Sequence, residues 1–167
     1  MNKNLRDFIQ AAKALGPDYY VEVNRPLSSY LEVSIIQQKL ARAGRNPMIY
    51  CPEIEGSKLP LVTNLFGSFE MLALGLGCDP RTTTREAVYD VVRKRVSNKL
   101  APEWVPASQA PVKQVKLLDD DADLSALPII HNSKLDAGKY ISVGFMIAKW
   151  PDTGVANAGI YRHLVMG

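Results

Sequence analysis

Apolar residues recur at helical spacing near the start of the chain. Leu5, Phe8, Ile9, Ala12 and Leu15 fall on one face, Asn4 stands where a capping residue belongs, and Gly16-Pro17 closes the run. This predicts a helix from Asn4 to about Leu15. Tyr19–Asn24 is short, aromatic and β-branched, the pattern of a strand. Tyr30–Ala43 predicts a second helix, with Leu31, Ile35, Ile36 and Leu40 inward and Gly44 as its stop. Pro47–Cys51 and Leu61–Phe66 predict two further strands, with Gly56 in the turn between them. Ser68 caps a predicted helix through Leu76. Thr83, with Glu86 three residues on, forms the capping box of another that runs to about Ser97.

The pattern then changes. Residues 101–112 (APEWVPASQAPV) carry three prolines and one charge. Proline removes donors and extends its neighbours, so this stretch reads as a linker between a first unit, residues 1–100, and a second, residues 113–167. An acidic turn at Asp119–Asp123 leads to Leu124–Pro128. Tyr140–Trp150 follows as a long strand with little polar alternation, as expected of a strand buried on both faces. Pro151-Asp152-Thr153-Gly154 supplies a turn, and Val155–Met166 returns, which predicts a β-hairpin. A lone hairpin cannot bury its own faces, and its outer edge invites pairing. The second unit therefore reads as unfinished: a fragment, a truncated product or one piece of a split protein. The fold class expected is α+β.

Composition narrows the function. In 167 residues, 47% are hydrophobic and 22% charged, the balance of a folded globular chain. The net charge of +3 is too small to argue for nucleic acid. All of the excess lies in residues 1–112, with 14 basic and 11 acidic residues, against 6 and 6 in residues 113–167. Arg93, Lys94 and Arg95 close a helix, where the dipole favours cations, so they read as a solvated end. No apolar run approaches the roughly 20 residues of a membrane span, and the first ten residues lack the pattern of a signal peptide. Cys51 and Cys78 are far apart and read as free thiols, which points to the cytoplasm. Two histidines, His131 and His163, exclude a His-rich zinc site.

Phosphate loops, nucleophile elbows and HExxH are absent from the sequence. Asp119, Asp120, Asp121 and Asp123 lack the glycine and the terminal glutamate of a calcium loop. The last predicted strand is more informative, because Asn157, Tyr161, Arg162 and His163 interrupt apolar sequence. At a period of two, Asn157, Gly159 and Tyr161 share one face and Ile160 and Arg162 the other, unless a bulge intervenes. Gly159 in mid-strand marks a place where a ligand or another backbone could come close.

Several segments then match one family in order. They are LPI-H at Leu127–His131, DAGKYI at Asp136–Ile141, the PDTG turn and N-x-G-I-Y-R at Asn157–Arg162. Upstream, LRDFI at Leu5–Ile9 and NLFGS at Asn64–Ser68 also match. Together they resemble the UbiD family of decarboxylases, and the resemblance spans nearly the whole chain. It implies an N-terminal α/β domain followed by the first strands of an incomplete split β-barrel related to flavin reductases. It implies prenylated FMN as cofactor, with manganese as the divalent metal and potassium as a further candidate ion. Asn157 matches a metal ligand, Ile160, Tyr161 and Arg162 match the flavin lining, and Arg162 also matches the catalytic arginine. His163 has no matching role and is expected to pack or bond locally.

The same resemblance implies reversible, non-oxidative (de)carboxylation of an aromatic or α,β-unsaturated carboxylic acid. Two acidic partners of Arg162, the other metal ligands, most of the flavin pocket and an oligomerising domain belong to a region further on in the family. The chain alone is thus expected to be inactive, with a homo-oligomer or a complementing chain as its partner. The rival expectations are a non-catalytic assembly or regulatory subunit that completes its barrel with another chain, and an α+β binding domain without flavin.

Overall fold

The computed structural model describes residues 4–101 and 103–166. The first unit is a small mixed sheet between helices. Strand β1 (Tyr20–Glu22) pairs in parallel with β2 (Met48–Cys51), which pairs antiparallel with β3 (Leu61–Thr63). Helix α1 (Leu5–Leu15) precedes β1, and α2 (Glu32–Arg42) connects β1 to β2. Helices α3 (Phe69–Gly75) and α4 (Arg85–Ser97) follow β3.

The central strand divides the core by its alternation. Met48 packs with Phe8, Ala12, Tyr20 and Met71 on one side, with Tyr50 at its margin. Ile49 and Cys51 pack with Leu27, Val33 and Ile54 on the other. The predicted helix faces are met in part: Phe8 and Ala12 are buried, whereas Leu5 and Ile35 stay largely exposed.

Element ends differ from expectation for local reasons. Helix α2 begins at Glu32, two residues late, because Leu31 takes left-handed backbone (φ 63°) and donates its amide to the His131 carbonyl at 2.9 Å. Strand β3 stops at Thr63 because Asn64 is also left-handed (φ 57°) and spends its side-chain amide on the Pro47 carbonyl at 2.8 Å. The cap of α4 is Thr84, whose hydroxyl accepts from the Ala87 amide at 3.2 Å. Thr83, the expected cap, lies one residue outside. Caps at Asn4 and Ser68 occur as expected.

Beyond α4 the chain is irregular, with single 3-10 turns at Ala107–Gln109, Pro111–Lys113, Asp119–Asp121 and Leu124–Ala126. It then folds against the first unit. Ile130 joins the cluster around Ile49 and Val33. The Ser34 hydroxyl donates to the Asn132 side-chain oxygen at 3.0 Å, and the Ser57 hydroxyl to the Ala126 carbonyl at 2.8 Å. Tyr30 and His131 form a β-bridge, with their rings edge to face at 5.0 Å.

The predicted hairpin is present as β4 (Tyr140–Lys149) and β5 (Ala156–Leu164), antiparallel, with Gly154 in left-handed backbone (φ 67°) closing the turn. Burial of β4 on both faces is not observed: Val143, Phe145 and Ile147 are each more than 60% exposed. Among the described residues neither a third strand nor a helix pairs with or covers this hairpin, and most of its apolar side chains stay exposed.

Candidate functional site

The register of the hairpin decides which candidate residues meet. Ile141 pairs with His163 and Gly144 with Tyr161, so a bulge at Ser142 and Val143 lies opposite Arg162. The extra residue is in β4, and β5 keeps its period of two. Asn157, Gly159, Tyr161 and His163 therefore share one face of β5, and Ile160, Arg162 and Leu164 share the other. Asn157 and Arg162 lie five residues apart on opposite faces, about 16 Å along the strand. The structure does not bring these two together.

Arg162 is held on two sides. Its Nη2 donates to Asp136 Oδ1 at 2.8 Å, and its guanidinium carbon stands 3.8 Å from the centre of the Tyr140 ring. Tyr140 pairs with Leu164, two residues beyond Arg162, so ring and guanidinium are diagonal neighbours on one face. Asp136 is the more sheltered partner, with its side chain 14% exposed against 53% for Arg162. Tyr140 first and Asp136 second push the Arg162 pKa upward, so its charge is fixed at any working pH. Ion pairs this open to water add little to stability. Together Asp136 and Tyr140 place the guanidinium between a carboxylate and an aromatic ring.

The opposite face is closed by the protein's own rings. A side-chain carbon at Gly159 would meet the Tyr161 ring at 2.5 Å, and one at Gly144 would meet the His163 ring at 2.6 Å. The mid-strand Gly159 expected to admit a ligand instead makes room for Tyr161. The glycine at 144 does the same for His163, which packs locally.

A cleft of about 590 Å³ separates the first sheet from the second unit. Val62 and Thr63 line one wall, and Ile129, Ile130, Tyr140 and Ile141 line the other. Tyr140 thus belongs both to the cleft wall and to the platform under Arg162. Asp136 and Tyr140 are the site residues that sequence reasoning missed as such. Both stand in the DAGKYI segment, but only the strand register shows that they reach Arg162.

The implied groups can be tested against this arrangement. Ile160, exposed two residues from a fixed cation, suits a flat apolar ring system that carries an anionic group. The Tyr161 side chain points to the other face. Asn157 offers one amide oxygen, and one ligand does not make a metal site. Among the described residues no group of three His, Cys, Asp or Glu gathers near enough to hold a metal ion. Among them also, no helix is long and apolar enough to cross a membrane.

Comparison with known proteins completes the picture. Residues 16–91 match the 3-octaprenyl-4-hydroxybenzoate carboxy-lyase N-terminal domain, and residues 103–167 match the Rift-related domain of the same carboxy-lyase. A phenolic acid decarboxylase of Sedimentibacter hydroxybenzoicus is 29% identical over an alignment of 166 positions that covers 96% of this chain and 34% of that protein. The closed form of the vanillic acid decarboxylase of the same organism superimposes with a TM-score of 0.88 at 28% identity, covering 100% of this chain and 36% of that one. An evolved dimeric form of the UbiD-class enzyme HmfF of Pelotomaculum thermopropionicum, solved with prFMN, gives 0.84 at 25% identity, covering 99% and 36%. The chain spans about a third of the length of the relatives it matches. With two domain matches in consecutive order and a shared fold over nearly all of its length, the chain belongs to the UbiD family, of which it represents an N-terminal part.

Proposed function

We propose that this chain is the N-terminal portion of a reversible, non-oxidative (de)carboxylase that acts on an aromatic or α,β-unsaturated carboxylic acid with prenylated FMN. The observation that supports it most is Arg162, a cation of fixed orientation on the β5 motif that carries the family resemblance. Residues 1–100 form the α/β domain, 101–112 the linker, and 113–167 the opening of the cofactor barrel. The free thiols Cys51 and Cys78 agree with a reducing, cytoplasmic setting.

In this reading Ile160 and Arg162 would line the flavin, Tyr161 would contribute its backbone, and Asn157 would supply one ligand to manganese. Potassium has no residue set of its own here, and no step is drawn through either ion. Prenylated FMN, when bound, supplies the electron sink for loss of CO₂. Arg162 binds the substrate carboxylate through its planar fork and sets its direction. The bond to the carboxyl carbon breaks, its electron pair stays with the substrate, and departure of the carboxylate as uncharged CO₂ is favoured beside apolar surface such as Ile160. The acid that returns the proton belongs to the part of the protein that completes the barrel, so the chain alone is inactive. The relatives' acids point to a small aromatic substrate, and a homo-oligomer or a complementing chain is the expected assembly.

The test is Arg162→Ala in the completed, flavin-loaded protein. The variant is expected to keep its flavin absorbance and release no CO₂ from an aromatic acid. Turnover at the unmodified rate would refute the assignment.

A further inference from the structure

We infer that Asp136 and Tyr140 are positioning residues that aim Arg162 at its ligand carboxylate. This rests on the role proposed above for Arg162, and goes beyond it by naming what gives that side chain a direction. An arginine on a strand swings about four side-chain bonds, and a free guanidinium presents its five donors in every direction. Here the Tyr140 ring, 3.8 Å away, fixes the plane of the fork. Asp136 takes Nη2 at 2.8 Å and so fixes its rotation within that plane. The remaining donors face outward as the edge offered to a carboxylate.

Both restraints are themselves restrained. The Asp136 amide donates to the Ser133 carbonyl at 3.0 Å, and the Asp136 side chain is mostly sheltered. Lys139 accepts the Val165 amide at 2.9 Å, and Tyr140 pairs with Leu164. The loop that carries Asp136 is thereby tied to the end of the strand that carries Arg162. The β4 bulge at Ser142 and Val143 lies directly opposite Arg162, and both of its residues line the cleft together with Tyr140. A carboxylate so close to the substrate-binding cation would compete with a substrate for the whole fork. It holds one nitrogen and leaves the rest, as a positioning group should.

The first test needs no cofactor. In the side-chain 1H–15N spectrum of the 167-residue chain, the Arg162 Nε–H signal is assigned by its loss in Arg162→Lys. It is expected apart from the cluster of exposed arginines, shifted by the Tyr140 ring, with the Nη2 protons slowed in exchange by the Asp136 bond. Asp136→Asn and Tyr140→Leu should each return it toward that cluster, and Tyr140→Phe, which keeps the ring, should move it less than Tyr140→Leu. A wild-type signal within the cluster, or one unmoved by both substitutions, overturns the inference.

The second test is kinetic, in the completed and flavin-loaded protein. Asp136→Asn should lower the rate of CO₂ release roughly 10- to 100-fold, with thermal midpoint and flavin content unchanged and partial rescue by Asp136→Glu. If Asp136→Asn fails to fold, the contrast between Tyr140→Leu and Tyr140→Phe decides in the same way. Activity retained in Arg162→Ala would overturn the functional reading and leave the spectroscopic result intact. An inactive Arg162→Ala beside an Asp136→Asn at full rate would overturn this inference alone.

Discussion

At the scale of single residues, charge is used to hold backbone and side chains in place. Glu32 accepts from the Ser28 amide at 2.8 Å and pairs with Arg25, so its carboxyl is held below the usual carboxylate range, chiefly by Arg25 and then by Ser28. A carboxyl lowered in the folded state contributes stability that is present above its unfolded pKa of about 4.3. That contribution is lost as pH falls through the folded value. Glu32→Gln should therefore be less stable than the parent at pH 7 and lose less stability between about pH 5 and 3. Urea midpoints measured across this range decide it, and parallel pH curves for the two proteins would contradict the assignment. The chemistry-bearing residues were only partly legible at this scale. Arg162 and Asn157 stand out as polar residues in an apolar strand. Asp136 is an unremarkable loop aspartate until the register brings it to Arg162 across 26 positions.

At the scale of elements, periodicity and caps are legible where the segment is long and self-contained. Helix α1 lies where its pattern puts it, and the hairpin turn forms at Pro151–Gly154 as its residues dictate. The misses have tertiary causes. Tyr30 and Leu31 continue a helical pattern but are drawn off to pair with His131, which lies a hundred residues away. Asn64 ends a strand by bonding Pro47. For α4, the two threonines at 83 and 84 compete for one capping place, and the structure gives it to Thr84. Thr84→Ala should then cost about 1 kcal/mol, within a range of roughly 0.5–2, while Thr83→Ala should cost much less. Thermal or chemical denaturation of the two variants measures the difference, and a larger loss at Thr83 would reverse the assignment.

At the scale of the whole molecule, the two halves differ in kind. The first unit closes around two apolar clusters on the faces of its sheet. The second lays Ile130 into one of those clusters and then extends a hairpin whose apolar side chains stand in solvent. The sequence predicts β4 as sheltered on both faces because its apolar run has little polar alternation. These apolar side chains stand exposed in a chain that spans about a third of the length of the relatives it matches. In the proposed function, the cleft beside Tyr140 and the Arg162 guanidinium belong to one site. The most direct measurement is CO₂ release from a panel of aromatic acids, with prenylated FMN present, by this chain alone and by the same chain completed with the downstream region. The account predicts none from the chain alone and clear release from the completed protein. Equal turnover by both, or none from a completed protein that holds its flavin, would contradict it.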